Sequence, residues 1–270
     1  MIFNIYKYFH AVISENMIDA HCHLDSKNFA QDIDKVIQRA RAELNGIITC
    51  SITPEGLEYS LKLSRKYRDF VYITSGIYPA KTASISDEEL RQSLELIASA
   101  KKDIVAVGEV GPDFYRVKDA RGRERQLRVL SRYLQLAEEL SLPIVIHARE
   151  AEQQALNVVK NSKVNVIFHC YSGSVELMKQ ITERGFYISL PTLVCYVDHH
   201  QKLAGKADLD HLLVETDSPP LSPYREIKRN EPLFVKEAVK KISEIRGMGQ
   251  IELGNITEEN TRRAYGIQQV

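Results

Sequence analysis

Short runs dense in β-branched and apolar residues lie at 18–22, 46–51, 71–76, 104–109, 143–147, 164–169, 186–190 and 212–216. Between them, apolar residues recur at helical spacing, as in Leu90, Leu94 and Ile97 or Leu127, Leu130, Leu134 and Ala137, each a single stripe for packing against a sheet. The alternation repeats about every 28 residues, the βα spacing expected of a (β/α)8 barrel. Two further helical stretches, around 231–247 and 257–265, close the chain. A doubly wound open sheet would use the same alternation. The count of eight runs, and the polar residues at their ends, favour an α/β fold of the TIM-barrel type in a single domain over residues 17–270.

Composition adds exclusions. In 270 residues, 44% are hydrophobic and 27% charged, ordinary for a folded water-soluble chain. Lys plus Arg equals Asp plus Glu at 36 each, so no global field recruits a polyanion, and such a ligand must be held locally. The four cysteines, Cys22, Cys50, Cys170 and Cys195, form no CxxC pair. A disulfide framework and a structural zinc knuckle are thereby disfavoured, and a reducing cytoplasm is the expected compartment. The first sixteen residues are broken by Lys7, His10 and Glu15 and lack a small-residue cleavage site. Residues 1–16 are therefore expected to be an extension ahead of an alternative start at Met17.

The polar residues at the strand ends carry the chemistry. His21, His23, Glu109, His147, His169 and Asp217 each stand at or just past the C-terminal end of a predicted strand, and in a parallel barrel those ends share one face. His21 and His23 are two apart, so the period of two points both imidazoles the same way and Cys22 the other. Glu109 follows an apolar run and needs a compensating cation, either metal ions that it bridges or an Arg or Lys at the barrel mouth. His147 and His169 close two similar apolar strands. Asp217 fits a metal ligand and proton acceptor, or a helix cap. Imidazole with carboxylate suits divalent zinc, manganese or magnesium rather than a soft thiolate site. Metal-activated water with a carboxylate to take its proton is the chemistry of hydrolysis.

From Ile18 to Gly266 the sequence resembles the TatD-type metal-dependent deoxyribonucleases of the amidohydrolase superfamily. The motifs that carry the resemblance are IDAHCHLD, VGEVGPDFYR, VIHAREA, FHCYSGS, VETDSPPLSP, RNEP and ENTRRAYG, in that order. It implies two divalent metal ions: one held by His21, His23 and Asp217, the other by His147 and His169, with Glu109 bridging. It also implies phosphodiester hydrolysis of DNA, exonuclease-like and 3′ to 5′, on single strands or 3′ ends, with Glu109 and Asp217 as the catalytic carboxylates. Arg116, Lys118, Arg121, Arg123 and Arg125 crowd the segment after the fourth strand, and Arg225, Lys228 and Arg229 follow the eighth. Arg149 and Arg229 fall in the motifs and are the phosphate-binding candidates. Arg121 to Arg125 fit a solvated helix surface. Tyr115 is placed to stack on a base or to pack beneath its loop.

Two departures stand out. Where the resemblance implies Gly-x-His-Pro after the third strand, this chain reads Gly76-Ile77-Tyr78-Pro79, and Pro112 replaces an apolar residue after Gly111. Tyr78 still offers a hydrogen bond to a phosphate oxygen, though not the base of a histidine. Competing readings keep the same fold: an ester or amide hydrolase such as a D-aminoacyl-tRNA deacylase, or a non-enzymatic nucleic-acid binder with structural metal. Mixed carboxylate ligands at a barrel mouth disfavour the latter, and the absence of a GxSxG elbow disfavours a serine hydrolase.

Overall fold

The structure is a computed structural model that describes residues 17–268; the extension expected at 1–16 lies outside them. Eight parallel strands pair in chain order: β1 (Ile18–Cys22), β2 (Gly46–Ser51), β3 (Val71–Ser75), β4 (Ala106–Val110), β5 (Ile144–Ile146), β6 (Val166–Phe168), β7 (Tyr187–Pro191) and β8 (Leu212–Glu215). All eight expected strands are present, displaced by no more than a few residues. The ends of the sheet are joined by the Asp217 amide donating to the His21 carbonyl and the His23 amide to the Ser218 carbonyl, both at 2.9 Å. Deeper in, the Asp19 carboxylate accepts from the Thr216 amide (2.8 Å) and hydroxyl (2.6 Å).

Helices α1 (Ile33–Arg41), α2 (Pro54–Lys66), α3 (Asp87–Ser99), α4 (Ala120–Leu140), α5 (Glu152–Val159), α6 (Val175–Thr182) and α7 (Asp198–Ala204) fill the intervals between strands. The chain ends with α8 (Val235–Arg246) and α9 (Gln250–Tyr265), the two expected closing helices. Local chemistry starts them where it should: Thr53 caps α2 with Pro54 behind it, Ser86 and Glu89 form a capping box on α3, and Asp119 caps α4. The buried stripe of α4 differs from the expected one. It runs through Gln126, Val129, Leu130, Tyr133, Leu136 and Ala137, while Leu127 and Leu134 are only half-buried. Gln126 and Tyr133 are polar residues whose burial is satisfied by hydrogen bonds, which apolar periodicity does not register.

Strand alternation divides the core in two. Ile48, Ala106, Val145, Ile167, Tyr187 and Leu213 fill the barrel interior with Ile18 and Ala20, sealed by Ala264, Tyr265 and Ile267 at the end of α9. Ile47, Ile73, Val107, Ile144, Ile146, Phe168, Leu190 and Val214 face the helices. Both β1 and β4 break step. A register shift lies between Asp19 and Cys22 and another between Val107 and Val110. Ile18 and Ala20 point inward but Cys22 outward, and Ala106 points inward but both Val107 and Val110 outward. These irregularities re-aim the strand ends, turning His21 and Glu109 toward the axis. Among the described residues no helix is long and apolar enough to cross a membrane.

Candidate metal centre

The six strand-end residues meet. Asp217 Oδ1 lies 3.4 Å from His23 Nε2 and 3.9 Å from His21 Nε2. Glu109 is central, with Oε1 at 3.8 Å from His23 Nε2, and Oε2 at 3.3 Å from His147 Nδ1 and 2.5 Å from His169 Nε2. The rings of His21 and His169 stack with centroids 4.0 Å apart. Donor atoms from His21, His169 and Asp217 lie close enough to share one ion, as do those of Glu109, His147 and His169, and those of His21, His23, Cys50 and Glu109. Thus the residues expected to hold two ions all converge around Glu109.

The backbone permits this crowding at a few positions. Gly111, at φ +148°, lets β4 approach β5 so closely that a Cβ there would stand 2.0 Å from the His147 carbonyl oxygen. Gly76 has the same role on the other side, where a Cβ would fall 2.1 Å from the Glu109 carbonyl oxygen. Asp217 itself takes a left-handed conformation (φ 50°), which Asp tolerates better than most residues.

Whether cations fit is decided by the donors left over. Both ring nitrogens of His21 are buried without a hydrogen-bond partner, although buried polar groups are nearly always paired. Burial, reinforced by the neighbouring imidazoles, holds His21 well below the ordinary histidine range, so it is a neutral imidazole with free lone-pair capacity for a cation. Burial opposes ionisation of Glu109, but the His169 and His147 rings outweigh it and keep the carboxyl well below the usual carboxylate range. Burial likewise opposes protonation of His23, yet the hydrogen bond to Asp217 and the charge of Glu109 raise it to about 9. His147 and His169 are raised for the same kind of reason, through Asp113 and Glu109 for the former and chiefly Glu109 for the latter. Without metal, protons on imidazoles therefore balance the carboxylates. A divalent cation would replace them and satisfy His21. Cys50 is no competitor: burial pushes its thiol up, and its sulfur is occupied, accepting from the Glu109 amide at 3.0 Å and donating to the Gly108 carbonyl at 3.4 Å.

The centre opens into a cavity of about 540 Å³ whose walls include Tyr78, Arg116, Arg149, Leu193 and Leu221. Arg149 stacks its guanidinium on Tyr115 at 3.8 Å from the ring centroid, and among the described residues no carboxylate pairs with it. Tyr115 is half-exposed and packs beneath that guanidinium, with Lys118 at 5.2 Å from its ring. Tyr78 lines the cavity with its ring partly exposed. Arg229 is elsewhere. It donates to Asp32 at 2.7 and 2.8 Å and to Glu231 at 2.7 Å, and it does not line the cavity, because two carboxylates already take its donors. Arg123 and Arg125 are likewise taken up, by the Val117 carbonyl and by Asp87.

Sequence reasoning missed the groups behind the candidate ligands. Asp113 Oδ2 lies 3.3 Å from His147 Nε2, and Glu215 Oε1 lies 3.6 Å from His169 Nδ1 while its other oxygen accepts from Ser189. Both occur inside the motifs that carry the ligands, and a carboxylate next to a metal-binding histidine is the available signal.

Known proteins resemble the chain along nearly its whole length. The family model described as "TatD related DNase" matches residues 18–266. An uncharacterized metal-dependent hydrolase of Methanocaldococcus jannaschii is 40% identical, over 92% of this chain and 96% of that protein. The human deoxyribonuclease TATDN3 is 28% identical, over 92% of this chain and 94% of its own. The crystal structure of the TatD homolog YjjV from Escherichia coli K12 superposes with a TM-score of 0.84 at 26% identity, covering 95% of this chain and all of that one.

Proposed function

The chain belongs to the TatD related DNase family and is a metal-dependent hydrolase of the TatD type; from that premise we propose that it hydrolyses phosphodiester bonds of DNA, releasing nucleotides from 3′ ends of single strands. The observation that carries the reading is the meeting, at one cavity, of His23, Glu109, His147, His169 and Asp217, with His21 buried against them, and an Arg149 guanidinium that has no carboxylate partner among the described residues. A planar fork of unengaged donors beside such a cluster suits a phosphate oxygen pair. In this reading His21, His23 and Asp217 would hold one divalent cation and His147 and His169 the other, with Glu109 shared between the two sets.

Bound zinc, manganese or magnesium supplies Lewis acidity at the phosphoryl group and water acidic enough to react near neutral pH. The protein does the rest. Arg149, held flat by Tyr115, grips the phosphate and sets its distance from the cluster. Tyr78 donates its hydroxyl to a second phosphate oxygen. Asp217, only partly buried and facing the cavity, accepts the proton released as the attacking water adds. Glu109, already ionised, keeps the imidazoles fixed around the reacting centre.

The test is a substrate panel of single-stranded DNA, duplex DNA, RNA and D-aminoacyl-tRNA, each with magnesium, manganese or zinc. Mononucleotides leaving the 3′ end of single-stranded DNA are expected. Deacylation of the tRNA without nucleotide release would overturn the reading in favour of an ester hydrolase.

A further inference from the structure

Asp113 is 2% exposed and lies three residues beyond the end of β4, outside the cluster of six. Oδ1 accepts the Arg116 amide at 2.9 Å, while Oδ2 lies between His147 Nε2 at 3.3 Å and Arg116 Nε at 3.5 Å. The opposite nitrogen of that ring, Nδ1, is the one that faces Glu109 Oε2 at 3.3 Å and His169 Nε2 at 3.4 Å. The main chain of Asp113 is also anchored. Its amide donates to Gln126 Oε1 at 3.1 Å, and Gln126, fully buried on α4, donates in turn to the Pro79 carbonyl at 2.8 Å. Asp113 forms a parallel bridge with Arg149, and the Phe114 amide donates to the Arg149 carbonyl at 2.9 Å.

A neutral imidazole carries one N–H and one lone pair, and the partner of one nitrogen decides which is which. A carboxylate can only accept, so Asp113 fixes the proton on Nε2 and leaves the Nδ1 lone pair directed at the cluster. We propose that Asp113 is a positioning residue for His147, selecting Nδ1 as the metal-ligating atom, and that its anchored segment sets Arg149 in register with that metal. The proposal rests on the two-cation reading given above. It makes the Tyr78–Pro79 loop, Gln126, Asp113 and His147 one connected unit, which joins the substrate wall of the cavity to the second ion.

Calorimetric titration of zinc into the metal-free protein tests it, with D113A, D113N and H147A beside the wild type. The second zinc should bind D113A about 10- to 100-fold more weakly, with the first unaffected. D113N, whose amide oxygen still accepts from Nε2–H, should fall between D113A and the wild type, and it serves if D113A fails to fold. Visible spectra of the cobalt-loaded proteins should change in the same order. If the aspartate variants bind both ions as the wild type does while H147A loses the second, Asp113 is structural only and the proposal fails alone. If H147A also keeps both affinities, the ligand assignment fails first.

Discussion

At the scale of single residues, Glu109 and Tyr78 separate what the site requires from what it adjusts. Among the described residues Glu109 is the one carboxylate within 4 Å of His23, His147 and His169 together, so its charge holds the cluster. Replacing it by Gln keeps the shape and the amide link to Cys50 but removes that charge. Turnover of E109Q should fall at least about a hundredfold with an unchanged circular dichroism spectrum; near-wild-type rates would take Glu109 out of the reaction. Tyr78 acts at the margin. It stands where the resemblance implies histidine, and its ring is 39% exposed at the cavity. Introducing the histidine (Y78H) should raise turnover by about tenfold by adding a group that titrates near neutrality, read from kcat on single-stranded DNA. An unchanged kcat would show that the position takes no part in proton transfer. Arg229 shows the limit of reading residues singly: its motif is clear in the sequence, yet Asp32 and Glu231, distant from it or adjacent to it in the chain, determine what its guanidinium touches.

At the scale of elements, the strands were legible because a parallel strand buried on both faces reads as an unbroken apolar run. The convergence of the candidate ligands was legible because they sit where those runs stop. The register shifts in β1 and β4 were not, since a bulge changes pairing without changing composition. Nor was the buried face of α4, which contains Gln126 hydrogen-bonded to Pro79 and Asp113, and Tyr133 whose hydroxyl pairs with Ser93 at 2.6 Å. The close approach of β4 to β5 gives a direct test. Alanine at Gly111 would combine a disfavoured positive φ with a methyl 2.0 Å from the His147 carbonyl oxygen, and neither a Cβ fixed on Cα nor a backbone carbonyl can swing aside. G111A should therefore lose about 2–4 kcal/mol of stability in urea unfolding. A loss within the scatter of surface mutations would mean that β4 and β5 do not meet this closely.

At the scale of the whole molecule, a chain with no net charge gathers His21, His23, His147 and His169 with Glu109 and Asp217 at one end of the barrel, and the stability of the metal-free protein should show it. His23 is raised from 6.5 to about 9, and His147 and His169 are raised as well. A raised histidine stabilises the fold fully below the unfolded value and loses that contribution as pH climbs through the folded one. For His23 the difference corresponds to roughly 3 kcal/mol. His21 has the opposite sign: lowered by burial, it destabilises the fold as pH drops below 6.5 and the unfolded chain takes up the proton. Glu109, lowered, contributes above 4.5 and loses its contribution as pH falls further. The metal-free protein should thus weaken steadily between pH 7 and 9, as urea unfolding at fixed ionic strength would reveal. Metal binding needs the same imidazoles neutral, so zinc affinity should rise across that interval and binding at pH 7 should release protons, measurable by calorimetry in buffers of different ionisation enthalpy. Metal-free stability that stays flat or rises from pH 7 to 9 would mean that these histidines are already neutral, and that the carboxylates around Glu109 are balanced by something other than protons awaiting displacement.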